Sequence, residues 1–308
     1  VSALPDRHGC GCFGKNAYHF ADLIRQCGIS IWQILPLNPL GYGNSPYQPY
    51  SSYAMDEIYI SLDLLAEKGL IGRAPSFHRN ADIVAYETVR NFKDRYLREA
   101  YANFRKDAAY EAFAGQTWVQ NYAVFMTLKK KNGMRCWTEW PEKDKDILNQ
   151  GKEALKPYAD EIDYRIFLQY ILFTQWNDLK KYANDRGIEI VGDLPFYVGL
   201  DSADVFANRK CFLLFDGSRA RLPYPADVFP VYTFHLPHQI STHRFEMAVS
   251  ATFLSRNLLH DRPCPATPPI HNSKPEAYQH LPSTHNCCLR SGNNNCLYET
   301  IYAKFRYG

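Results

Sequence analysis

The sequence predicts an α/β fold, a β/α arrangement with a long helical insertion. Three observations carry this expectation. Two short runs rich in apolar and β-branched residues, 29–35 and 188–191, suit buried parallel strands. Each follows a helical segment closed by a glycine, Gly28 and Gly187. Between the two runs lies a long section with helical periodicity.

Taken in order, Lys15–Gln26 reads as a helix, because Tyr18, Phe20, Leu23 and Ile24 recur at near-helical spacing. Gly28 stands just past its end, where a left-handed residue is useful. Residues 29–35 form the first strand and Pro36 stops it, since proline lacks the N–H that a ladder needs. Residues 41–53 form a loop holding four Tyr, two Pro and two Gly. Long helices are predicted over residues 84–113, 119–131 and 163–186. In the last, Tyr164, Leu168, Ile171, Gln175, Leu179 and Tyr182 fall largely on one stripe. Residues 188–191 form the second strand, followed by Gly192-Asp193-Leu194-Pro195. If the arrangement is a (β/α)8 barrel, whose chemistry sits on the loops after the strands, residues 37–53 and 193–204 share one face.

Composition narrows the function classes. The 308 residues are 46% hydrophobic and 22% charged, the balance of a folded chain. A formal charge of +3 is too small to draw nucleic acid or an anionic membrane as the main partner. No apolar stretch is long enough to span a bilayer. The nine cysteines contain no C-x2-C pair, so neither a structural zinc site nor a thioredoxin motif is predicted. Scattered thiols suit a reducing cytoplasm. The chain opens Val1-Ser2-Ala3 without Met and is expected to be cut at its start.

The composition changes near Ser218. Residues 219–308 hold ten of the 19 prolines and seven of the ten histidines, but two of the 17 glycines. Runs such as Pro263-Cys264-Pro265-Ala266-Thr267-Pro268-Pro269 cannot continue a helix or a central strand. The domain expectation is a periodic α/β part over residues 1–217, with its helical insertion at about 62–186, then an atypical Pro/His/Cys-rich tail over 218–308. The tail is expected to be poorly ordered.

Several motifs compete. Gly9-Cys10-Gly11-Cys12-Phe13-Gly14 matches G-x-G-x-x-G, but Pro5 interrupts the preceding segment and no acidic residue follows the next strand. A glycine-rich turn into a helix is preferred over a dinucleotide site. Gly41-Tyr42-Gly43-Asn44-Ser45-Pro46-Tyr47-Gln48 sets aromatic faces beside hydrogen-bonding groups. That combination suits a pyranose, with its apolar face and rim of hydroxyls, and equally a well-packed aromatic turn. Asp193 after the second strand is placed to bind sugar hydroxyls, to do acid–base work, or to cap a turn. Asp201-Ser202 reads as a helix N-cap. The pairs His235/His238 and Cys287/Cys288 lack metal-ligand spacing, and no metal site is assigned. There is no Walker loop and no G-x-S-x-G elbow.

These motifs together resemble the 4-α-glucanotransferases, also called amylomaltases or disproportionating enzymes. The matching strings are Ser2-Ala3-Leu4-Pro5 with Gly9-Cys10-Gly11; Trp32-Gln33-Ile34-Leu35-Pro36-Leu37; the whole loop from Gly41 to Gln48; Ser61-Leu62-Asp63-Leu64-Leu65; and Val191-Gly192-Asp193-Leu194-Pro195-Phe196-Tyr197-Val198 followed by Asp201-Ser202-Ala203-Asp204-Val205. The match covers about residues 1–217. The resemblance implies a (β/α)8 barrel of TIM type with helical insertions, incomplete over the matched residues of this chain, in a family that moves a maltooligosaccharide segment to another sugar's 4-hydroxyl without a cofactor. It implies that Tyr47 stacks on or hydrogen-bonds the glucan, that Ser45 and Gln48 shape the loop, and that Asp193 binds glucose hydroxyls in the donor subsite and is not the nucleophile. Such a retaining reaction needs two carboxyl groups about 5–5.5 Å apart. The family's nucleophile and acid strings are not found; Arg165-Ile166-Phe167 and His260-Asp261 are fragments of them. No catalytic residue is therefore assigned. The expectation is a cytoplasmic family member whose partner is an α-1,4-glucan and whose chain lacks the catalytic carboxylates. The alternative is a non-catalytic glucan-binding fragment. A third reading has the tail bind a protein partner. Unpaired barrel edges predict low stability for the isolated chain.

Overall fold

A computed structural model describes residues 1–77, 83–193, 195, 198–215 and 219–221. The elements run α1 (Lys15–Gln26), β1 (Ile31–Gln33), α2 (Leu62–Glu67), α3 (Tyr86–Asn103), α4 (Ala108–Ala114), α5 (Thr117–Lys131), the single turns α6 (Glu142–Lys145) and α7 (Lys152–Leu155), α8 (Ala159–Asp185), β2 (Glu189–Val191), α9 (Ala203–Ala207), β3 (Leu213–Phe215) and β4 (Arg219–Arg221). The described part is α/β and mostly helical. Its two sheets have two strands each: β1–β2 parallel and β3–β4 antiparallel.

The two parallel strands are entered in the same way. At the end of α1, Gly28 N–H bonds Arg25 C=O and Ile29 N–H bonds Ile24 C=O, both at 2.9 Å. At the end of α8, Gly187 N–H bonds Asn184 C=O at 2.8 Å and Ile188 N–H bonds Ala183 C=O at 3.0 Å. Both are Schellman closures, which need a left-handed residue; the glycines have φ of 78° and 72°. The chain then turns straight into β1 and β2. Ile31 pairs with Glu189, Trp32 with Ile190 and Gln33 with Val191.

The strand over residues 29–35 is shorter than expected, with three paired residues. One partner strand limits the ladder, and Pro36 has no N–H to extend it. Trp32 is buried against Phe20 of α1, ring centroids 5.1 Å apart. Ile29, Ile31 and Leu35 stay exposed.

The helix expected over residues 84–113 is two helices. Phe104 leaves the helix in extended geometry (φ −74°, ψ 137°) and its ring packs on Tyr110, Phe167 and Tyr170. Asp107 then caps α4, accepting from Tyr110 N–H at 2.8 Å. Burying Phe104 favours the break over a continuous helix.

The core lies between α8 and its neighbours α1, α3, α4 and α5. Half of α8 is buried, including Tyr164, Phe167, Leu172, Trp176 and Leu179. Trp176 meets Phe13, which stacks on Tyr59. Two buried glutamines of α8 act as substitute strand partners. Gln169 accepts from Met55 N–H at 2.9 Å and donates to Met55 C=O at 2.8 Å. Gln175 does the same for Ser61, at 2.8 and 3.2 Å. The segment from Leu37 to Ser61, which carries the aromatic loop, is thereby fixed to the helical body. The tail from residue 222 onward, with its His and Cys pairs, lies outside the described residues.

Candidate functional site

The site is built from the loops after β1 and β2, as the strand order predicts. Tyr47 Oη donates to Asp193 Oδ2 at 2.8 Å, across 146 positions of sequence. The pair is solvent-accessible, with Tyr47 39% exposed. Asp193 lies two residues beyond the end of β2. The hydrogen bond to Asp193 raises the Tyr47 hydroxyl above the ordinary phenol range, with burial and the carboxylate charge adding to it. Tyr47 is therefore a neutral donor at all physiological pH values.

Local chemistry shapes the Tyr47 loop. Gly41 passes so close to the Gln48 carbonyl that a Cβ there would stand 1.9 Å from its oxygen. Only glycine lets the loop close on itself. Asn44 N–H bonds Gly41 C=O at 3.1 Å, and Gly43 and Asn44 both have positive φ. Ser45 Oγ accepts from Tyr47 N–H at 3.3 Å and so sets the backbone that presents the ring. The Gln48 side chain is exposed on the same loop. The structure thus brings Tyr47 and Asp193 together, places Ser45 beneath Tyr47 and leaves Gln48 at the surface.

The loop's two ends are held by buried carboxylates. Asp56, fully buried, accepts from Leu40 N–H at 2.9 Å and takes a two-pronged contact from Arg90 at 2.7 and 2.6 Å. Burial works against the Arg90 charge, but Asp56 and Glu57 outweigh it and hold the guanidinium above its ordinary value. Asp204 accepts from Ser52 N–H at 2.8 Å, and burial pushes its carboxyl up to about 6. Ala203 N–H meanwhile bonds Tyr50 C=O at 2.8 Å. The start of α9 is therefore stitched to the Tyr47 loop.

The turn before α9 splits the expected Asp201-Ser202 cap. Ser202 Oγ alone caps α9, accepting from Val205 N–H at 3.3 Å. Asp201 instead binds the ammonium of Lys129 at 2.5 Å and accepts from Trp137 N–H at 3.3 Å. Lys129 is fully buried in α5, with its charge over the Tyr50 ring at 4.7 Å. These supporting residues escaped the sequence reading. Lys129 opens the run Lys129-Lys130-Lys131 at the end of α5, and nothing in that run marks it as the buried one.

The glycine-rich segment at residues 9–14 is a buried turn leading into α1, with Gly14 as its N-cap, as preferred.

Comparison with known proteins places the chain. The sequence profile of the 4-alpha-glucanotransferase family matches residues 1–230. The 4-alpha-glucanotransferase of Synechocystis is 42% identical over 230 residues, covering 69% of this chain and 45% of that protein. The Clostridium butyricum 4-alpha-glucanotransferase is 39% identical over 226 residues, 70% of this chain and 46% of the relative. The structure of amylomaltase from Streptococcus agalactiae in complex with acarbose superposes with a TM-score of 0.65 at 34% identity, over 70% of this chain and 46% of that one. The chain spans under half the length of the relatives it matches. On this evidence the chain belongs to the 4-alpha-glucanotransferase family.

Proposed function

We propose that the protein serves the transfer of α-1,4-glucan segments between maltooligosaccharides, and that the described part supplies the glucan-holding face of an incomplete (β/α)8 barrel. The observation that carries the reading is the Tyr47–Asp193 pair, joined across the ends of two parallel strands. A carboxylate accepts hydrogen bonds from two sugar hydroxyls, and an exposed phenol ring beside it covers an apolar sugar face. Ser45 and Gln48 shape the rim. Asp193 binds sugar in this reading and does not attack it. The glycosyl-enzyme step of a retaining transfer falls to a pair of carboxyl groups about 5–5.5 Å apart. We place the change from barrel part to tail near residue 217, with β4 paired back onto β3 just beyond it. No disulfide joins the described cysteines, which supports work in the cytoplasm.

The test is incubation of the purified chain with maltotriose and chromatography of the products. Glucose with maltopentaose and longer glucans shows transfer by this polypeptide. Unchanged maltotriose with saturable binding restricts it to holding glucan. Neither products nor binding would overturn the proposal.

A further inference from the structure

The loop before α1 holds a cluster that the glucan site does not use. We propose that Asp6, His8 and Cys12 form a binding site for a single zinc(II) ion. One donor atom from each of the three lies within 4.8 Å of the other two. His8 Nδ1 stands 2.9 Å from Asp6 Oδ1, and Cys12 Sγ stands 3.1 Å from Asp6 Oδ2. A tetrahedral zinc ion with one sulfur ligand separates its donors by about 3.3–3.6 Å. The two Asp6 contacts are about half an ångström shorter than that, a difference within the reach of side-chain rotation.

The second observation is the imidazole itself. His8 has no exposed surface, yet neither ring nitrogen makes a hydrogen bond. Nδ1 faces the Asp6 carboxylate off the line of an N–H···O bond, and Nε2 has no partner. Buried polar groups are almost always satisfied, so an orphaned imidazole beside a carboxylate and a thiol calls for a cation. The backbone supports the cluster: His8 N–H donates to Asp6 Oδ1 at 2.8 Å.

The donor set selects the metal. One nitrogen, one sulfur and one oxygen suit zinc, whereas calcium and magnesium take oxygen alone. Charge balances: on binding, the Cys12 thiol loses its proton to solvent, and thiolate plus carboxylate offset the two positive charges with His8 neutral. The fourth position is left to solvent. Lys93, whose charge reaches this loop, is itself held by the carbonyls of Ile58 and Ile60 at 2.6 and 2.9 Å. The pattern Asp6-x-His8-x3-Cys12 contains no C-x2-C, which is why sequence spacing gave no metal signal.

The ion would pin an irregular segment to the body. Phe13, which follows Cys12 directly, bonds Tyr59 C=O and packs on Trp176. The test is a titration of the reduced, chelator-stripped full chain with cobalt(II), read by its thiolate-to-cobalt charge-transfer band, then with zinc(II). The wild type should saturate this band at one equivalent and lose it to zinc. His8→Gln and Cys12→Ser should each weaken binding at least a hundredfold. Both variants keep the Cys- and His-rich tail, so any signal from the tail remains in them and subtracts out. Zinc should raise the melting temperature of the wild type and of neither variant. If His8→Gln proves unfolded by circular dichroism, Cys12→Ala replaces it. No band in the wild type, or equal bands in wild type and folded variants, would overturn the proposal.

Discussion

At Asp204 a single carboxyl links the Tyr47 loop to solvent pH. It is 6% exposed and burial raises it from 3.8 to about 6. Between roughly pH 4 and 6 the folded protein keeps a proton that the unfolded chain has lost. Folding stability from this group is therefore highest below that window and falls as pH rises through 6. A shift of this size amounts to about 3 kcal/mol between the two ends. Asp204→Asn keeps an acceptor for Ser52 N–H without the charge. Its thermal midpoint should vary less between pH 5 and 7.5 than that of the wild type, and should exceed it at pH 7.5. Parallel profiles would show that Asp204 is solvated. At this scale the sequence was informative where chemistry is exposed and silent where it is buried. Tyr47, Ser45 and Asp193 stand in strings with turn residues and polar neighbours, so their place on the two loops was legible. Asp56, Lys129 and Arg90 look like ordinary charges in one dimension. Their partners lie 16 to 72 residues away, and only folding reveals them.

At the scale of elements, α8 organises the molecule. Its apolar stripe, ending glycine and following strand were all readable from period and punctuation. Its two glutamines were not, because an amide on an apolar stripe gives no clue that it pairs with a distant backbone. Gln169→Leu would leave Met55 N–H and C=O buried without partners. Each such loss costs about 1–3 kcal/mol, so the variant should lose about 2–5 kcal/mol in urea denaturation. Lys181→Ala, which removes an exposed pair with Asp185 on the same helix, is the reference. Equal losses in the two variants would mean that the glutamine clamp carries no stability. The break between α3 and α4 was missed for a related reason. Arg105 and Lys106 are good helix formers, and the pull of Phe104 toward Phe167 depends on a helix more than 50 residues later.

Across the whole molecule, α1 covers one face of β1 and the other is left in water. Leu35 is 59% exposed and Ile31 46%, with Ile29 beside them. Parallel strands are ordinarily buried on both faces. That exposure is what supports the incomplete-barrel reading proposed above. The order of helix, strand, loop, helical insertion, strand and loop was legible throughout residues 1–215, because hydrophobic period and glycine caps encode it locally. The number of strands that close a barrel is a long-range property, and no local pattern states it. The central claim is that loops after two parallel strands meet to hold an α-1,4-glucan. Calorimetric titration of maltotetraose into the wild-type chain and Asp193→Ala tests it most directly. The account predicts saturable binding in the wild type, weakened at least tenfold, or about 1.4 kcal/mol, by the substitution. Equal affinity in the two proteins, or no heat in either, would contradict it.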